Sequence, residues 1–142
     1  MPRRTLLTGG IAALVVVGAL YVHAESPAAL PAYVVKLADQ ESTYHGDAHP
    51  ASAVAVSTTR GAAANAAGGE RVDIPRTPVW LVVLRGHFRD RNASVPVGQS
   101  TPKGSAIWFT INRKTHHILD FGIGNHAPNL SSLGSVEHVF VP

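Results

Sequence analysis

The sequence contains no cysteine and few charged side chains. The lack of cysteine excludes disulfide bonds, thiolate catalysis and zinc sites with cysteine ligands, so stability must come from packing and hydrogen bonds. Charged residues make up only 15% of the 142 residues, whereas hydrophobic residues make up 45%. This composition indicates one domain with a modest core and argues against a second domain.

The chain also lacks a strong excess of charge of either sign. Its formal net charge is +3, but two of the basic residues, Arg3 and Arg4, stand at the N-terminus. Residues 25–142 contain ten basic and nine acidic side chains, a net charge of +1. A nearly neutral body has no basic footprint for phosphates, so we expect no nucleic-acid partner.

An uncharged run from Thr5 to Val22 follows the N-terminal arginines, and it ends in small or medium side chains at Val22-His23-Ala24. A basic start, an apolar run and a small-residue site are the layout of a secretory signal. We therefore predict that residues 1–24 are a signal peptide and that the protein is exported. It is then secreted or anchored at the outer side of the cytoplasmic membrane.

The alternative to a signal peptide is an uncleaved membrane anchor. As a helix, about 18 residues rise roughly 27 Å, close to the thickness of the hydrocarbon layer. In that case the protein contacts the membrane only through residues 5–22. Arg3-Arg4-Thr5-Leu6-Leu7 also resembles the core of a twin-arginine signal, so the general secretory and twin-arginine routes both stay open.

The next two segments differ in their content of alanine and proline. Residues 25–46 have one short apolar cluster, at 33–37, and we predict a linker with one short element there. In residues 47–67, small and apolar side chains recur at spacings of three and four, and Pro50 suits a first helical turn. This pattern predicts one helix within 47–67, ended by Gly68-Gly69.

The C-terminal half has the composition of strands. Residues 79–85 are dense in β-branched and aromatic side chains, which predicts a first strand. Residues 105–111 and 116–121 flank a turn at 112–115, so they predict a hairpin. A short closing strand is expected within 136–141.

Together these elements predict an α+β domain over residues 47–142, with one main helix packed on a three- to four-stranded antiparallel sheet. A signal or anchor helix precedes this domain. We expect Trp80 or Trp108 in the core, because large aromatic side chains dominate burial in a small domain. The first strand is expected to place four side chains on one face: Trp80, Val82, Leu84 and Phe88.

One segment resembles a known family. It reads Thr110-Ile111-Asn112-Arg113-Lys114-Thr115-His116-His117-Ile118-Leu119-Asp120-Phe121-Gly122. This is similar to the final hairpin of PepSY-type domains, where a strand ends in Asp-x-x-Thr-Gly and a short apolar strand returns. Asn112 stands in place of Asp, Thr115 matches, and His116 replaces Gly. The chain from Pro78 onward includes Arg85-Gly86-His87-Phe88 and Phe121-Gly122-Ile123-Gly124-Asn125, and it is also similar to small exported actinobacterial proteins of unassigned function. The resemblance implies an exported protein, in some cases one that restrains peptidases, and it supplies no catalytic residues.

Charge is concentrated at the point where the first strand meets a long irregular connection, residues 89–104. A loop attached to a rigid sheet is a suitable surface for an anionic or peptide partner. The candidate binding residues are therefore Arg85, His87, Arg89 and Arg91. The alternative is a solvated loop in which one arginine pairs with Asp90, a kind of contact that contributes little energy.

Histidine is the enriched polar residue, with seven in residues 25–142. His45 and His49 are four residues apart and would share a face of a helix, whereas His116 and His117 would point to opposite sides of a strand. Two or three imidazoles without a cysteine or a paired carboxylate make a weak site. We predict no metal site and no cofactor.

The sequence also contains the residue types of a nucleophilic site. Ser94, Ser100 or Ser105 could combine with His87 and Asp90, but no Gly-x-Ser-x-Gly turn frames any of these serines, and we assign no catalytic residue. The leading hypothesis is a non-catalytic binding or regulatory module of the cell envelope with a peptide or protein partner. The alternatives are a small exported hydrolase or metal-dependent enzyme that uses loop histidines, and a structural envelope component.

Overall fold

The computed structural model describes residues 29–69 and 76–139. The signal or anchor helix predicted for residues 1–24 lies outside them. The described residues form two helices and five strands: α1 (Ala32–Tyr44), β1 (Ser52–Thr59), α2 (Arg60–Ala66), β2 (Pro78–Arg89), β3 (Lys103–Asn112), β4 (Ile118–Gly124) and β5 (Val136–His138). Neither of these helices is long and apolar enough to cross a membrane.

The five strands form one antiparallel sheet in the order β4-β3-β2-β1-β5. Its centre is β2, which pairs with β1 on one side and with β3 on the other. The side chains from Val79 to Leu84 are buried without interruption, which is the pattern of a strand covered on both faces. The predicted α+β class is confirmed, with the sheet one strand larger than expected.

Helix α1 covers one face of the sheet. Its buried side chains, Val34, Ala38 and Ser42, are spaced by four residues and therefore form one stripe along the helix. On β2 the facing core side chains are those predicted to share a face: Trp80, Val82, Leu84 and Phe88. The prediction of a core tryptophan is confirmed, because Trp80 is 8% exposed.

The opposite face is covered by α2 and by the segment that follows β4. Ala63 of α2 packs with Leu81 and Val83, and Leu130 and Leu133 complete this second cluster. The Thr59 hydroxyl caps α2 by accepting a hydrogen bond from the Ala62 N–H. The sheet is thus the middle layer of three.

The helix predicted within residues 47–67 is wrong for its first half, since β1 occupies Ser52–Thr59 and only α2 is helical. Between β2 and β5, β1 directs Ala53 and Ala55 into the α1 face, whereas Val54 and Val56 pack on the other. Pairing with two neighbours therefore overrides a weak helical pattern. The expected linker, residues 25–46, contains α1, which packs on the sheet.

The hairpin predicted over residues 105–121 is confirmed as β3 and β4. Its turn forms because the Asn112 side-chain oxygen accepts the N–H groups of Lys114 and Thr115, at 2.8 and 3.0 Å. His116 follows with a φ of 60°, a left-handed conformation that glycine adopts more readily. The last strand, β5, lies within the range expected for it, at Val136–His138.

Candidate functional site

The four candidate binding residues lie around an irregularity in β2. Arg85 pairs with Ala106 of β3, but Phe88 pairs with Gly104, so β2 has one residue more than β3 in this interval. This is a β-bulge, a feature that bends a strand and redirects its side chains. The interval contains Gly86 and His87, and it lies close to the end of β2 that leads into the long loop.

The connection between α1 and β1 supports the bulge. One oxygen of the Asp47 carboxylate accepts the backbone N–H of His87 at 2.8 Å, and the other accepts that of His49 at 3.1 Å. A Cβ on residue 86 would overlap the Asp47 side chain, so this close approach requires Gly86. Both oxygens of Asp47 are therefore engaged in structural contacts.

His45 fixes the end of β2 from the same side. Its carbonyl accepts the Arg89 N–H at 2.9 Å, and its Nδ1 lies 2.8 Å from the Arg89 carbonyl oxygen. A carbonyl oxygen only accepts, so Nδ1 carries a proton and donates it. The ring is fully buried and stacks on Phe121 at 4.5 Å. Among the described residues, its Nε2 has no hydrogen-bond partner and lies 3.5 Å from a carboxylate oxygen of Glu41.

His45 and His49 do not act as a pair. Helix α1 ends at Tyr44, and Gly46 turns the chain with a φ of 100°, so the two histidines do not share a helical face. His49 is exposed, whereas His45 is buried. The helical spacing that suggested a common face is therefore interrupted by the helix terminus.

An open cleft of about 410 Å³ lies at the bulged end of β2 and β3. We call it the basic cleft, and the residues that line it are His87, Phe88, Arg89, Lys103, Gly104, Ser105 and Asn125. Arg89 and Lys103 are direct cross-strand partners. Like charges in that position repel each other, and neither side chain forms an ion pair within the described residues. The cleft thus has positive charge that no described carboxylate neutralises.

Two of the four predicted residues, His87 and Arg89, line the basic cleft, whereas Arg85 and Arg91 lie outside it. Arg85 is exposed on β2 before the bulge, and the Arg91 guanidinium lies beside Gly46. In the part of the chain that the structure describes, Asp90 pairs with no arginine, and its carboxylate accepts the Asn92 N–H at 2.9 Å. The local Arg–Asp contact considered from the sequence is therefore not formed there.

Sequence reasoning missed two polar residues of the cleft, Lys103 and Asn125, and considered Ser105 only as a possible nucleophile. Lys103 was placed in the long connection, although it begins β3 and pairs with Arg89. Asn125 follows the last residue of β4, and its side-chain oxygen lies 3.3 Å from the Ser105 nitrogen. Only the register of the sheet brings these residues to Arg89, and no local pattern indicates that register.

Only some of the residues considered for a hydrolase lie close together. His87 and Ser105 both line the basic cleft, but the Ser105 hydroxyl donates to the Asn125 carbonyl at 3.3 Å. Ser94 and Ser100 are exposed in the loop. No hydrogen bond within residues 87–105 joins a serine hydroxyl to His87.

The histidines do not converge either. His116 stacks on Tyr33 at 3.8 Å, and its neighbour His117 is exposed. Within residues 29–69 and 76–139, no three histidine or acidic side chains are placed to hold a metal ion together.

A second charged cluster ties α2 to the edge strand β4. Arg60 donates two hydrogen bonds to the Asp120 carboxylate, at 2.9 and 2.6 Å, and Thr110 donates a third at 2.6 Å. The bonds from Arg60, and then from Thr110, lower the pKa of Asp120, and the Asp120 carboxylate raises the pKa of Arg60. Beside the cluster, a pocket of about 180 Å³ lies between α2 and β3, with Trp108 in its wall.

Comparison with known proteins finds no family model that matches the chain, and no curated protein or solved structure with significant similarity to it. The resemblance of residues 110–122 to PepSY-type domains therefore stays a prediction. Function has to be inferred from the arrangement of the residues themselves.

Proposed function

We propose that the protein is an exported, non-catalytic binding module that recognises an acidic peptide segment of an envelope protein through the basic cleft. One observation carries this proposal. Arg89 and Lys103 are paired across two strands at an open cleft, with no carboxylate partner among the described residues. An arrangement of this kind costs free energy unless an anion lies between the two charges.

The size and rigidity of the cleft support binding of a peptide. Its volume of about 410 Å³ falls in the range of ligand sites in proteins. Arg89 presents a planar guanidinium that binds carboxylates with two hydrogen bonds. Its backbone is fixed by His45, and that of His87 by Asp47. Little backbone entropy is therefore lost when a ligand binds.

Binding is favoured over catalysis because the Asp47 carboxylate and the Ser105 hydroxyl already have partners, and no serine hydroxyl within residues 87–105 bonds to the His87 imidazole. Asp47 accepts two backbone N–H groups, and the Ser105 hydroxyl donates to a carbonyl. A general base needs a free acceptor within reach of the proton that it removes. The exposed Val95 and Val97 in the adjoining loop add apolar surface for contact with a partner.

The binding test uses residues 25–142 and a fluorescent peptide of about ten residues that alternates valine and glutamate, a pattern that favours extended structure. Fluorescence anisotropy should detect binding that weakens with salt. The double substitution Arg89→Glu with Lys103→Glu should reduce affinity by at least about tenfold. Arg76→Glu is the matched control, because Arg76 is exposed just before the other end of β2, on the order of 40 Å from Arg89 along the strand.

Two results would contradict the proposal. One is equal binding of a peptide in which lysine replaces glutamate, and the other is unchanged binding by the double variant. Binding to vesicles of anionic lipid but not to the Val/Glu peptide would assign the basic cleft to a membrane surface instead.

Export is supported by the basic start, the apolar run and the small residues before Glu25. Mass spectrometry of the protein from its native host is expected to find a chain that begins at or near Glu25, outside the cytoplasm. A full-length chain in the membrane fraction would favour the anchor. A soluble cytoplasmic chain that retains Met1 or Pro2 would contradict export.

A further inference from the structure

We infer that the acidic segment binds as an added strand along β4, with its acidic end in the basic cleft. This inference rests on the proposed function and specifies how the partner is held. It requires an open sheet edge, backbone groups directed to that edge, and continuity between the edge and the cleft.

The first requirement is met by β4. It is the outermost strand of the sheet, with seven residues, and no described residue pairs with its outer side. The strand at the other edge, β5, has only three residues. Proteins usually protect an exposed edge with lysine, proline or an unpaired charge. β4 has no lysine or proline, and its one charged residue, Asp120, is neutralised by Arg60. A bulge, another protective feature, lies at the start of β4, where Leu119 has no partner in β3, and Phe121 and Ile123 follow it in regular register.

The hairpin determines which backbone groups face the edge. The backbone of Asn112 bonds to the β4 side of the turn. Its N–H donates to the His117 carbonyl, and its carbonyl accepts the His116 N–H. The backbone N–H and C=O groups of successive residues in a strand point to opposite sides. Every second residue of β3 therefore also directs these groups to β4, namely Thr110, Trp108 and Ala106. Their register partners are Asp120, Gly122 and Gly124. The residues between these partners, Phe121 and Ile123, therefore direct their N–H and C=O groups to the open edge.

The edge is continuous with the basic cleft. β4 ends at Gly124, and the next residue, Asn125, lines the cleft together with Arg89 and Lys103. From Ile123 to Asn125 the chain advances about 7 Å. A peptide paired with Phe121 and Ile123 would thus place a side chain two or three residues further on within the cleft. Main-chain pairing supplies affinity in such complexes, and the cleft supplies selectivity for acidic side chains.

Charge favours a peptide over a second copy of this chain. If β4 paired antiparallel with β4 of another copy, the turn of one copy would approach the basic cleft of the other. That turn contains Arg113 and Lys114, so its positive charges would repel those of the cleft. An acidic segment neutralises Arg89 and Lys103 instead.

The test compares Ile123→Pro with Ile123→Val in the anisotropy assay with the Val/Glu peptide. The Ile123 N–H faces away from β3, so proline at this position removes no hydrogen bond of the sheet, and edge strands tolerate it. We expect Ile123→Pro to lose at least about tenfold in affinity and Ile123→Val to bind like the wild type. In the wild type, peptide should slow hydrogen exchange of the Phe121 and Ile123 amides, measured by NMR.

A second arm uses the wild-type protein and a Val/Glu peptide N-methylated at alternate residues, so it does not depend on the folding of a variant. Methylation of the set that faces β4 should abolish binding, and methylation of the other set should not. If neither set matters, or if a folded Ile123→Pro binds normally, strand addition is refuted.

The two proposals fail in different ways. Loss of binding in the double cleft variant, with normal binding by Ile123→Pro, would retain the cleft and overturn strand addition. No binding of the Val/Glu peptide by the wild type would overturn both. A dimer without peptide that Ile123→Pro dissociates would assign the edge to a second copy.

Discussion

His45 and His49 differ completely in burial, although they are the same residue type and stand only four positions apart. His45 bonds to both backbone groups of Arg89, and its ring is covered by Phe121. His49 donates its backbone N–H to Asp47, and its side chain is exposed. A spacing of four residues suggested a shared face, but spacing does not reveal where a helix ends.

Replacing the two histidines should therefore have unequal effects on stability. His45→Ala removes a buried ring and leaves the Arg89 carbonyl without its side-chain donor, so we expect a loss of about 2–4 kcal/mol in the free energy of unfolding. His49→Ala should change it by no more than about 0.5 kcal/mol. Urea denaturation measures both. Equal losses would show that His45 does not brace the end of β2.

Gly122 is a second position where the presence of a Cβ atom would change the packing. A Cβ on Gly122 would overlap the Trp108 indole, whereas a Cβ on Gly124 would lie 3.4 Å from the Trp108 ring, an ordinary contact. We expect Gly122→Ala to destabilise the protein by about 1–3 kcal/mol and, in a Trp80→Phe background where Trp108 is the one tryptophan, to shift its fluorescence. Gly124→Ala should leave the spectrum close to that of the wild type. A wild-type spectrum for Gly122→Ala would show that the indole does not lie against β4.

The elements differ in how much of them the sequence predicts. β2 and the β3–β4 hairpin are predicted correctly because their β-branched and aromatic residues and the Asn112 turn are local signals. β1 is predicted as a helix because small and apolar side chains in residues 47–67 recur at spacings of three and four, and the alanines and serines of β1 give no strong signal for a strand. Its strand conformation comes from pairing with β2 and β5, partners that are distant in sequence.

The ion pair that ties α2 to β4 predicts a pH dependence. Arg60, and then Thr110, hold the pKa of Asp120 below its ordinary value. Because the folded-state pKa is the lower one, this contribution is complete above the unfolded value of about 4. It declines as the pH falls through the folded-state pKa.

Thermal or urea unfolding of the wild type and Asp120→Asn tests this dependence. Asp120 is 45% exposed, so we expect a difference of at most about 1 kcal/mol at neutral pH, which shrinks below about pH 4 and in high salt. Arg60→Gln should abolish most of the effect of Asp120→Asn. A difference that is independent of pH in the presence of Arg60 would contradict the assignment.

At the scale of the whole molecule, the sequence predicts only some of the residues of the basic cleft. Arg85, His87, Arg89 and Arg91 form a local cluster, which composition reveals. Lys103 joins Arg89 through the pairing of β2 with β3 across a loop of 13 residues, 90–102. The bulge that determines which of the arginines face the cleft depends on contacts with Asp47 and His45, and these follow from the packing of α1.

That packing also determines which part of the chain folds independently. The predicted domain boundary at residue 47 would remove α1 and uncover the sheet face that contains Trp80, Val82 and Phe109. Exposed apolar surface costs roughly 25 cal/mol per Å², and marginal stability leaves little reserve against such a loss. The same truncation would remove both contacts of His45 with Arg89.

We therefore expect residues 25–142 to unfold cooperatively in urea and to bind little of a dye that reports exposed apolar surface. Residues 47–142 should show a broad transition or none, with strong dye binding, because β2 lacks its cover. Val34→Asp in the longer chain is the matched point substitution, since it leaves α1 present but places a charge at a fully buried position. It should move the longer chain toward the behaviour of the shorter one. A cooperative transition of residues 47–142 at the urea concentration that unfolds residues 25–142 would show that α1 is dispensable to the fold.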